Sequence, residues 1–417
     1  MAVTEAQARR AIRRADFPWN ERVEDPRAEW NQRHAHHGLL SVLAAAFACG
    51  RTHLRHVEDF SSDLAAATRR GLGLKGRASD STFYRVLSEQ RPAGLRETMQ
   101  AQVRTLIDGK VVKNDLFPLG VASFDGKQVW TSGTSFVDGA QTKLDEKSGV
   151  LTASLFSMRA VLTSSQVRPC LDLEIIGDKE GESPAFRVVL PRVCEKFGGQ
   201  FQIVTGDAGL ACRENALLVQ KQGKFFLWGL KGNQPKLHAL AEQMFNGSPG
   251  GLKKREEEVR NGSVIVRELH TLTVNDVAEV DMAGVQQLWR VRQQTFTGGK
   301  LVVEELRYFL SSIPPTLLTP TQQLALVRLH WGIENNHNWT MDVALTEDDV
   351  QPCQQNADAI EVVAWLRLLG YNLLAAWRAQ ADKKDRLPMP WARCMEQLRD
   401  AFLFAFGTTP GAAVTLA

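Results

Sequence analysis

Clustered cysteines, long apolar runs and a strong charge of either sign are all missing from this chain of 417 residues. The six cysteines are scattered, without a C-x-x-C pair or Cys/His pairs at zinc-finger spacing, which argues against a cysteine-ligated zinc and suits a reducing compartment. No apolar run approaches the roughly 20 residues that cross a bilayer, and the polar, arginine-rich N-terminus lacks the apolar stretch of a signal peptide. We therefore expect a cytoplasmic protein with no membrane partner.

Tyrosine is scarce as well. The three tyrosines, Tyr84, Tyr308 and Tyr371, have no histidine-rich surroundings, which argues against a tyrosine recombinase or a rolling-circle nuclease. The net charge is only +3, so the chain is no polycation. Residues 1–118 nevertheless hold 19 Lys/Arg against 14 Asp/Glu, a mild indication that this part binds nucleic acid.

The N-terminal part, residues 1–118, has the apolar spacing of helices throughout. One predicted helix begins with Asp80 or Ser81 as its N-cap and carries Arg85. It has the form of the recognition helix of a helix-turn-helix unit, and equally that of a plain helical bundle packed on the next domain.

The pattern of apolar residues in the sequence changes near residue 119. Strand-like and helical segments alternate over residues 119–250, which predicts an α/β sheet domain. Residues 251–315 contain successive short β-like runs separated by Gly and Asn and predict a β-rich insertion. Residues 316–417 are helical again, starting with a helix that carries Glu334.

Two aspartates are predicted to lie where strands end. Asp125 is followed by Gly126, which predicts a turn there, and Asp207 stands between Gly206 and Gly209. Ligands of open α/β sheets collect at the carboxyl ends of strands, so the two carboxylates are candidates for one site. The plainer interpretation of each is an ordinary turn residue.

Glu334 lies in an apolar, tryptophan-flanked helical segment. In an α-helix His330 and His337 would share its face, since they are four residues before it and three after it. These three side chains would form either a buried polar cluster satisfied by hydrogen bonds or a set of metal ligands. A zinc hydrolase site on these three residues is an alternative, although the spacing differs from H-E-x-x-H.

Five segments in the same order carry a family resemblance. They are VASFDGKQVW, GDKEGESPAF, IVTGDAGLACRENA, FFLWGLKGNQPKL and HWGIENNHNWTMDVALTEDD. The chain resembles the DDE insertion-sequence transposases, in particular their H-repeat-associated branch, over nearly its whole length. This resemblance implies an α/β fold, an RNase H-like mixed sheet flanked by helices, with a β-rich insertion and an N-terminal helical domain.

The resemblance also implies the site and its partners. Asp125, Asp207 and Glu334 would be catalytic residues that bind two Mg²⁺ ions, with Mn²⁺ as a substitute. The reaction would be metal-dependent cleavage at element ends and 3′-OH strand transfer. The partners would be double-stranded DNA, namely the terminal inverted repeats and the target, in a synaptic complex with a homodimer. The residues expected to contact DNA or support the site are Lys127, Lys231, Asn233, Arg328, His330, Asn335, His337 and Arg85.

The sequence departs from related branches around the glutamate. Those branches have Tyr, Arg and Lys where this chain has Val327, His330 and Met341, so a hairpin mechanism is not expected to carry over. Two other functions remain open besides the zinc hydrolase: a metal-dependent DNA nuclease on the same core, and a catalytically silent, domesticated DNA-binding protein.

Overall fold

The protein is described by a computed structural model over residues 3–144, 146, 149–232, 234–247, 251–274, 282–381 and 389–404. Helices occupy both ends of the chain, and strands with interspersed helices occupy the middle. The helices are α1 (Glu5–Ala15), α2 (His36–Ala48), α3 (Leu54–Asp63), α4 (Ala66–Gly71), α5 (Asp80–Glu89), α6 (Leu95–Asp108), α7 (Glu182–Phe197), α8 (Arg213–Lys221), α9 (Pro235–Gly247), α10 (Pro320–His330), α11 (Ala357–Ala381) and α12 (Trp391–Leu403).

Within the described residues, ten strands form one mixed sheet. They are β1 (Val121–Ser132), β2 (Gln141–Leu144), β3 (Leu151–Leu162), β4 (Cys170–Ile176), β5 (Ile203–Gly206), β6 (Phe225–Leu230), β7 (Leu252–Arg260), β8 (Ser263–Thr273), β9 (Gln287–Thr297) and β10 (Lys300–Ser311). The order β4-β3-β1-β5-β6 is built from antiparallel β4/β3 and β3/β1 pairs and parallel β1/β5 and β5/β6 pairs. This order and these directions are those of the RNase H fold, which confirms the predicted fold class.

The β-rich segment extends the same sheet. Strands β7 to β10 form an antiparallel meander, and residues 308–311 of β10 pair with residues 227–230 of β6. The meander therefore continues the sheet outward from β6.

Alternation along the strands divides the core into two apolar clusters, because successive side chains of a strand point to opposite faces. Val204 and Phe226 belong to the larger cluster, with helices α2, α6, α7 and α11. Their neighbours Ile203 and Leu227 belong to the smaller cluster, with helix α10. Helices therefore cover both faces of the sheet.

Helix α11 is the centre of the larger cluster. It is long and apolar enough to cross a membrane, contrary to the sequence expectation, but 94% of its most apolar stretch is buried inside the protein. It packs on α2, where a Cβ at Gly370 would lie 2.6 Å from the backbone oxygen of Ala44. The glycine therefore permits close approach of the two helix backbones, and α11 is a core helix that joins the C-terminal part to the N-terminal helices.

Two local sequence predictions need correction. The turn predicted at Asp125 and Gly126 is wrong: β1 continues to Ser132, because β3 pairs with it along its whole length. The N-cap of α5 is Ser79, whose hydroxyl accepts a hydrogen bond from the backbone N–H of Thr82, and Asp80 is the first helical residue.

Candidate active site

Asp125 and Asp207 lie side by side because of the parallel β1/β5 ladder. The last pair of that ladder is Phe124 with Gly206, and each aspartate is the next residue of its strand or just beyond it. Paired strands lie about 4.8 Å apart, so the backbones of β1 and β5 are still close together where the two aspartates follow. The ladder thus brings both carboxylates to one end of the sheet.

A row of buried hydroxyl groups holds the three strands in line beneath the acids. The Thr205 hydroxyl donates to the Ser123 oxygen at 2.7 Å, and the Ser123 and Thr163 oxygens are 2.8 Å apart. Ser123 on β1 and Thr205 on β5 each stand two residues before an aspartate and therefore point to the same face as that aspartate. The hydrogen bonds limit sliding of β5 against β1 directly below the site.

Glu334 reaches the same end of the sheet from a π-helical turn. Helix α10 ends at His330, and residues 333–338 form a π-turn that a second π-turn, residues 340–344, follows. Asn338 donates its side-chain N–H to Asp125 Oδ2 at 2.8 Å, while Glu334 is exposed one turn earlier. π-Turns are rare and frequently mark functional sites, because they redirect side chains relative to a regular helix.

The same change of helical register separates the two histidines. His330 is buried beside Asp207, Lys231 and Arg307, whereas His337 is fully buried beside Arg159 and Lys127. The face that the sequence predicted for His330, Glu334 and His337 is therefore wrong for His337, while His330 and Glu334 border one cavity. Burial lowers the pKa of His330 to about 4 and lowers that of His337 well below its usual value of 6.5, so both rings are neutral at physiological pH.

A fourth carboxylate, Glu182, lies beside the aspartates. It is in the first turn of α7, and a Cβ at Gly126 would overlap its Oε1 atom. Burial raises the pKa of Glu182, and so does the charge of Asp207, while Lys231 lowers it.

Crowded negative charge is the main electrostatic property of the site. Partial burial, together with the charges of Glu334, Glu182 and Asp207, raises the pKa of Asp125 from its usual 3.8 to about 7. Few contacts offset this negative charge. Asn338 donates a hydrogen bond to Asp125, and Lys231 Nζ is 3.7 Å from Asp207 Oδ2. The four carboxylates therefore repel one another without a matching set of cations.

This donor set fits a hard divalent cation. Mg²⁺ prefers carboxylate oxygens and keeps several water ligands, and a cation between these acids would offset their repulsion. Asp207 Oδ1 accepts the Gly209 backbone N–H at 2.7 Å, which orients the carboxylate and leaves Oδ2 toward the site. Among the described residues, no three His, Cys, Asp or Glu side chains are already arranged around one point as a metal site.

A buried ionic network lies behind the acids. Lys127 Nζ contacts Asp342, is 3.2 Å from Asp348 Oδ1 and 3.8 Å from Glu347 Oε2. Arg159 Nη2 is 2.7 Å from Glu347 Oε1, and neither side chain has any exposed surface. The network ties β1 and β3 to the segment that follows the π-turns, and so to the element that carries Glu334.

The other predicted support residues are dispersed. Lys231 borders the acids with 70% of its side chain exposed, whereas Lys127 points into the buried network. Arg328 faces the meander, where it is 3.8 Å from Glu256 and 3.6 Å from Glu258. Asn335 is exposed next to Glu334, and Arg85 is exposed on α5, in the N-terminal part of the chain. Asn233 lies outside the described residues.

A cavity of about 340 Å³ opens beside Asp207 and Glu334. Lys231, His330 and Trp331 line it, and the Arg307 guanidinium lies 4.2 Å from the ring centroid of Trp331. Cationic and aromatic side chains therefore lie next to the acidic centre.

Sequence reasoning missed Asn338 and Glu182 as members of the site. Asn338 is four residues after Glu334, so helical spacing alone placed it near that side chain. Glu182 had a weaker signal, an acid at the start of a helix in the polar segment GDKEGESPAF, and its direction depends on how α7 crosses the sheet.

Comparisons with known proteins agree with the predicted relationship. Residues 21–102 match a family profile described as DDE_Tnp_1-associated. In Escherichia coli (strain K12), the relatives "Putative protein YbfL" and "H repeat-associated putative transposase YhhI" are 24% and 22% identical over 367 and 368 residues. Each alignment covers 84% of this chain and 88% of the relative.

A third relative and one solved structure complete the comparison. "Putative transposase YncI" of Escherichia coli O157:H7 is 22% identical over 84% of this chain and 85% of its own. The piggyBac transposase, solved by cryo-electron microscopy in a synaptic complex with hairpin DNA, matches 95% of this chain and 80% of its own with a TM-score of 0.47 and 10% identity. From the sequence relatives and the family profile, the predicted resemblance to the DDE insertion-sequence transposases of the H-repeat-associated branch is confirmed.

Proposed function

We propose that this protein is a DNA transposase that cleaves DNA at the ends of its element and joins the freed 3′-OH to target DNA. The observation that carries the proposal is the meeting of Asp125, Asp207 and Glu334 from three separate elements, with a pKa of Asp125 raised to about 7 by burial and by its acidic neighbours. Acids crowded in this way are unfavourable for the fold alone, and perturbed groups of this kind collect at functional sites.

In this proposal Asp125, Asp207 and Glu334 hold two Mg²⁺ ions, or Mn²⁺ in their place. When bound, such ions would supply positive charge that stabilises the attacking and leaving oxygens of a displacement at phosphorus. The chain supplies the geometry: the β1/β5 ladder aligns the aspartates, and Asn338 fixes one oxygen of Asp125. The exposed Glu334 would supply the third carboxylate.

Cations around the site would hold the DNA. Lys231 is exposed beside Asp207 and is suited to a phosphate next to the one that reacts. In the N-terminal part, Arg85 of α5 lines a cavity of about 340 Å³ with three further arginines, Arg27, Arg33 and Arg77, and with Glu58, the ion-pair partner of Arg77. Arginines bind phosphate groups well, so we propose that residues 1–118 contribute to recognition of the element end.

The domain division follows the same proposal. Residues 119–250 and 316–417 together form the catalytic part, and residues 251–315 form an insertion on the outer edge of the sheet. Joining two element ends requires two active sites, so we propose a homodimer in the DNA complex, acting in the cytoplasm.

The test is cleavage of a labelled duplex that carries the terminal inverted repeat found in the DNA flanking the gene. We expect cutting that needs Mg²⁺ or Mn²⁺ and that is lost in Asp125→Asn, Asp207→Asn and Glu334→Gln. The matched control is Glu195→Gln, an exposed carboxylate at the far end of α7, which should cut like the wild type.

The products distinguish the functions. Addition of a target plasmid should yield joined DNA if the protein is a transposase, whereas cutting without joining would identify a nuclease. Sequence-specific DNA binding without any cutting would identify a catalytically silent DNA-binding protein and refute the proposal.

A further inference from the structure

Glu182 enters the acidic centre from the opposite side of the sheet to Glu334. Its helix, α7, packs in the larger apolar cluster, whereas α10 leads to Glu334 from the smaller cluster. The ring of Phe186, one turn after Glu182, makes an edge-to-face contact with Phe124 at 5.0 Å between centroids. This contact anchors the start of α7 on β1, next to Asp125.

Two glycines leave room for the Glu182 carboxylate. Gly126 follows Asp125 in β1, and any Cβ there would overlap Glu182 Oε1. A Cβ at Gly209 would be 3.2 Å from Glu182 Oε2 and 3.0 Å from Asp207 Oδ1. The two glycines belong to different segments of the chain, and both border the same carboxylate.

Helix capping alone does not account for this position. An acid in the first turn of a helix is stabilised by the helix dipole. That stabilisation does not require burial beside other acids, which disfavours the ionised carboxylate. Glu182 instead points inward toward Asp125 and Asp207, and no hydrogen bond from a described residue contributes to its charge state. Its orientation is unfavourable until a cation shares the space.

We propose that Glu182 is a fourth carboxylate of the metal site, binding an ion together with Asp125 and Asp207. The inference rests on the proposed function, since it assigns a further ligand to the same metal centre. Helices on opposite faces of the sheet then each contribute one glutamate, Glu182 and Glu334, on either side of the two strand aspartates. Gly126 and Gly209 leave space for the Glu182 side chain, which lies against both of them.

The experiment measures Mn²⁺ binding to the full chain without DNA, from the free Mn²⁺ signal in electron paramagnetic resonance. We expect Glu182→Gln to weaken Mn²⁺ binding by at least about tenfold, which is the loss that removal of a mere outer-sphere partner already causes. Glu180→Gln is the matched control: this exposed carboxylate lies two residues earlier and should bind as the wild type does. Gly126→Ala should weaken binding as well, because it displaces Glu182 while leaving every carboxylate in the chain.

Folding is controlled for by urea unfolding in EDTA. Glu182→Gln should be at least as stable as the wild type without metal, because one of four repelling charges is gone. A variant that loses both stability and Mn²⁺ binding would indicate a merely structural role for Glu182 and would overturn the inference.

The outcomes separate this inference from the proposed function. Wild-type Mn²⁺ binding in Glu182→Gln, together with loss in Asp125→Asn and Asp207→Asn, would refute the fourth ligand and leave the transposase proposal standing. Unchanged binding in all three variants would refute both.

Discussion

Removing the charge of Glu347 is expected to destabilise the protein more than removing any exposed carboxylate. Glu347 Oε1 is 2.7 Å from Arg159 Nη2, and both side chains have no exposed surface. Breaking a buried ion pair by changing one partner costs about 3–5 kcal/mol, because the other charge stays buried without compensation.

The structure narrows this range for Glu347→Gln. Glutamine keeps an oxygen that can accept the hydrogen bond from Arg159, which lowers the cost. Lys127, 3.8 Å from the other Glu347 oxygen, keeps Asp342 and Asp348 as partners. The loss therefore falls on Arg159 and also on the buried Arg367, whose charge Glu347 likewise stabilises, and we expect about 3 kcal/mol.

The assay is urea denaturation followed by tryptophan fluorescence, since the chain has 10 tryptophans. Glu195→Gln, an exposed carboxylate, is the control and should change the free energy of unfolding by less than about 0.5 kcal/mol. Replacing both Arg159 and Glu347 by Met should cost at least about 1 kcal/mol less than the sum of the two single Met changes, because the pair leaves together. A loss below about 1 kcal/mol in Glu347→Gln, or strict additivity in the double variant, would refute the reasoning.

Three further predictions concern pH, metal and helix contact. Burial lowers the pKa of His36 to about 4, so this residue binds fewer protons in the native protein than in the unfolded chain, and it destabilises the fold as the pH falls below 6.5. Between pH 7.5 and 4.5, the stability of the wild type relative to His36→Asn should fall by about 2–3 kcal/mol, and an equal difference at both pH values would contradict this. Mg²⁺ at 100 times its Kd should stabilise the wild type by about 2.7 kcal/mol relative to EDTA but leave Asp125→Asn nearly unchanged, and an equal shift in both would count against the metal assignment. Gly370→Ala should lower the free energy of unfolding by about 1–3 kcal/mol, since the added Cβ would meet Ala44 of α2, and a neutral result in urea titration would show that the helices separate at no cost.

The order of elements was within reach of sequence reasoning because hydrophobic periodicity and turn residues are local signals. Asp207 at the end of β5 follows from them. Asp125 does not, since β1 continues beyond it only because β3 supplies hydrogen bonds along its whole length. A turn signal at Gly126 was therefore misleading: that glycine makes room for Glu182 within a strand.

The neighbourhood of Glu334 depends on tertiary structure in the same way. An α-helical spacing placed His330, Glu334 and His337 on one face, but the π-turns shift the register and send the two rings to different sides. No residue type encodes a π-turn by itself, and the buried ion pairs that follow it in the chain are long-range contacts. From the sequence, the meander is likewise predicted to be a separate β-rich insertion. Only the pairing of β10 with β6 makes it part of the main sheet.

The central claim is that Asp125, Asp207 and Glu334 together form a metal-dependent DNA-cleaving site. Glu334→Gln tests it most directly, because Glu334 is exposed and its replacement leaves the fold undisturbed. In Mg²⁺, the account predicts that cleavage of an element-end duplex by this variant falls at least about 1,000-fold below the wild type, the scale on which removal of catalytic machinery acts. Cleavage at the wild-type rate would contradict it.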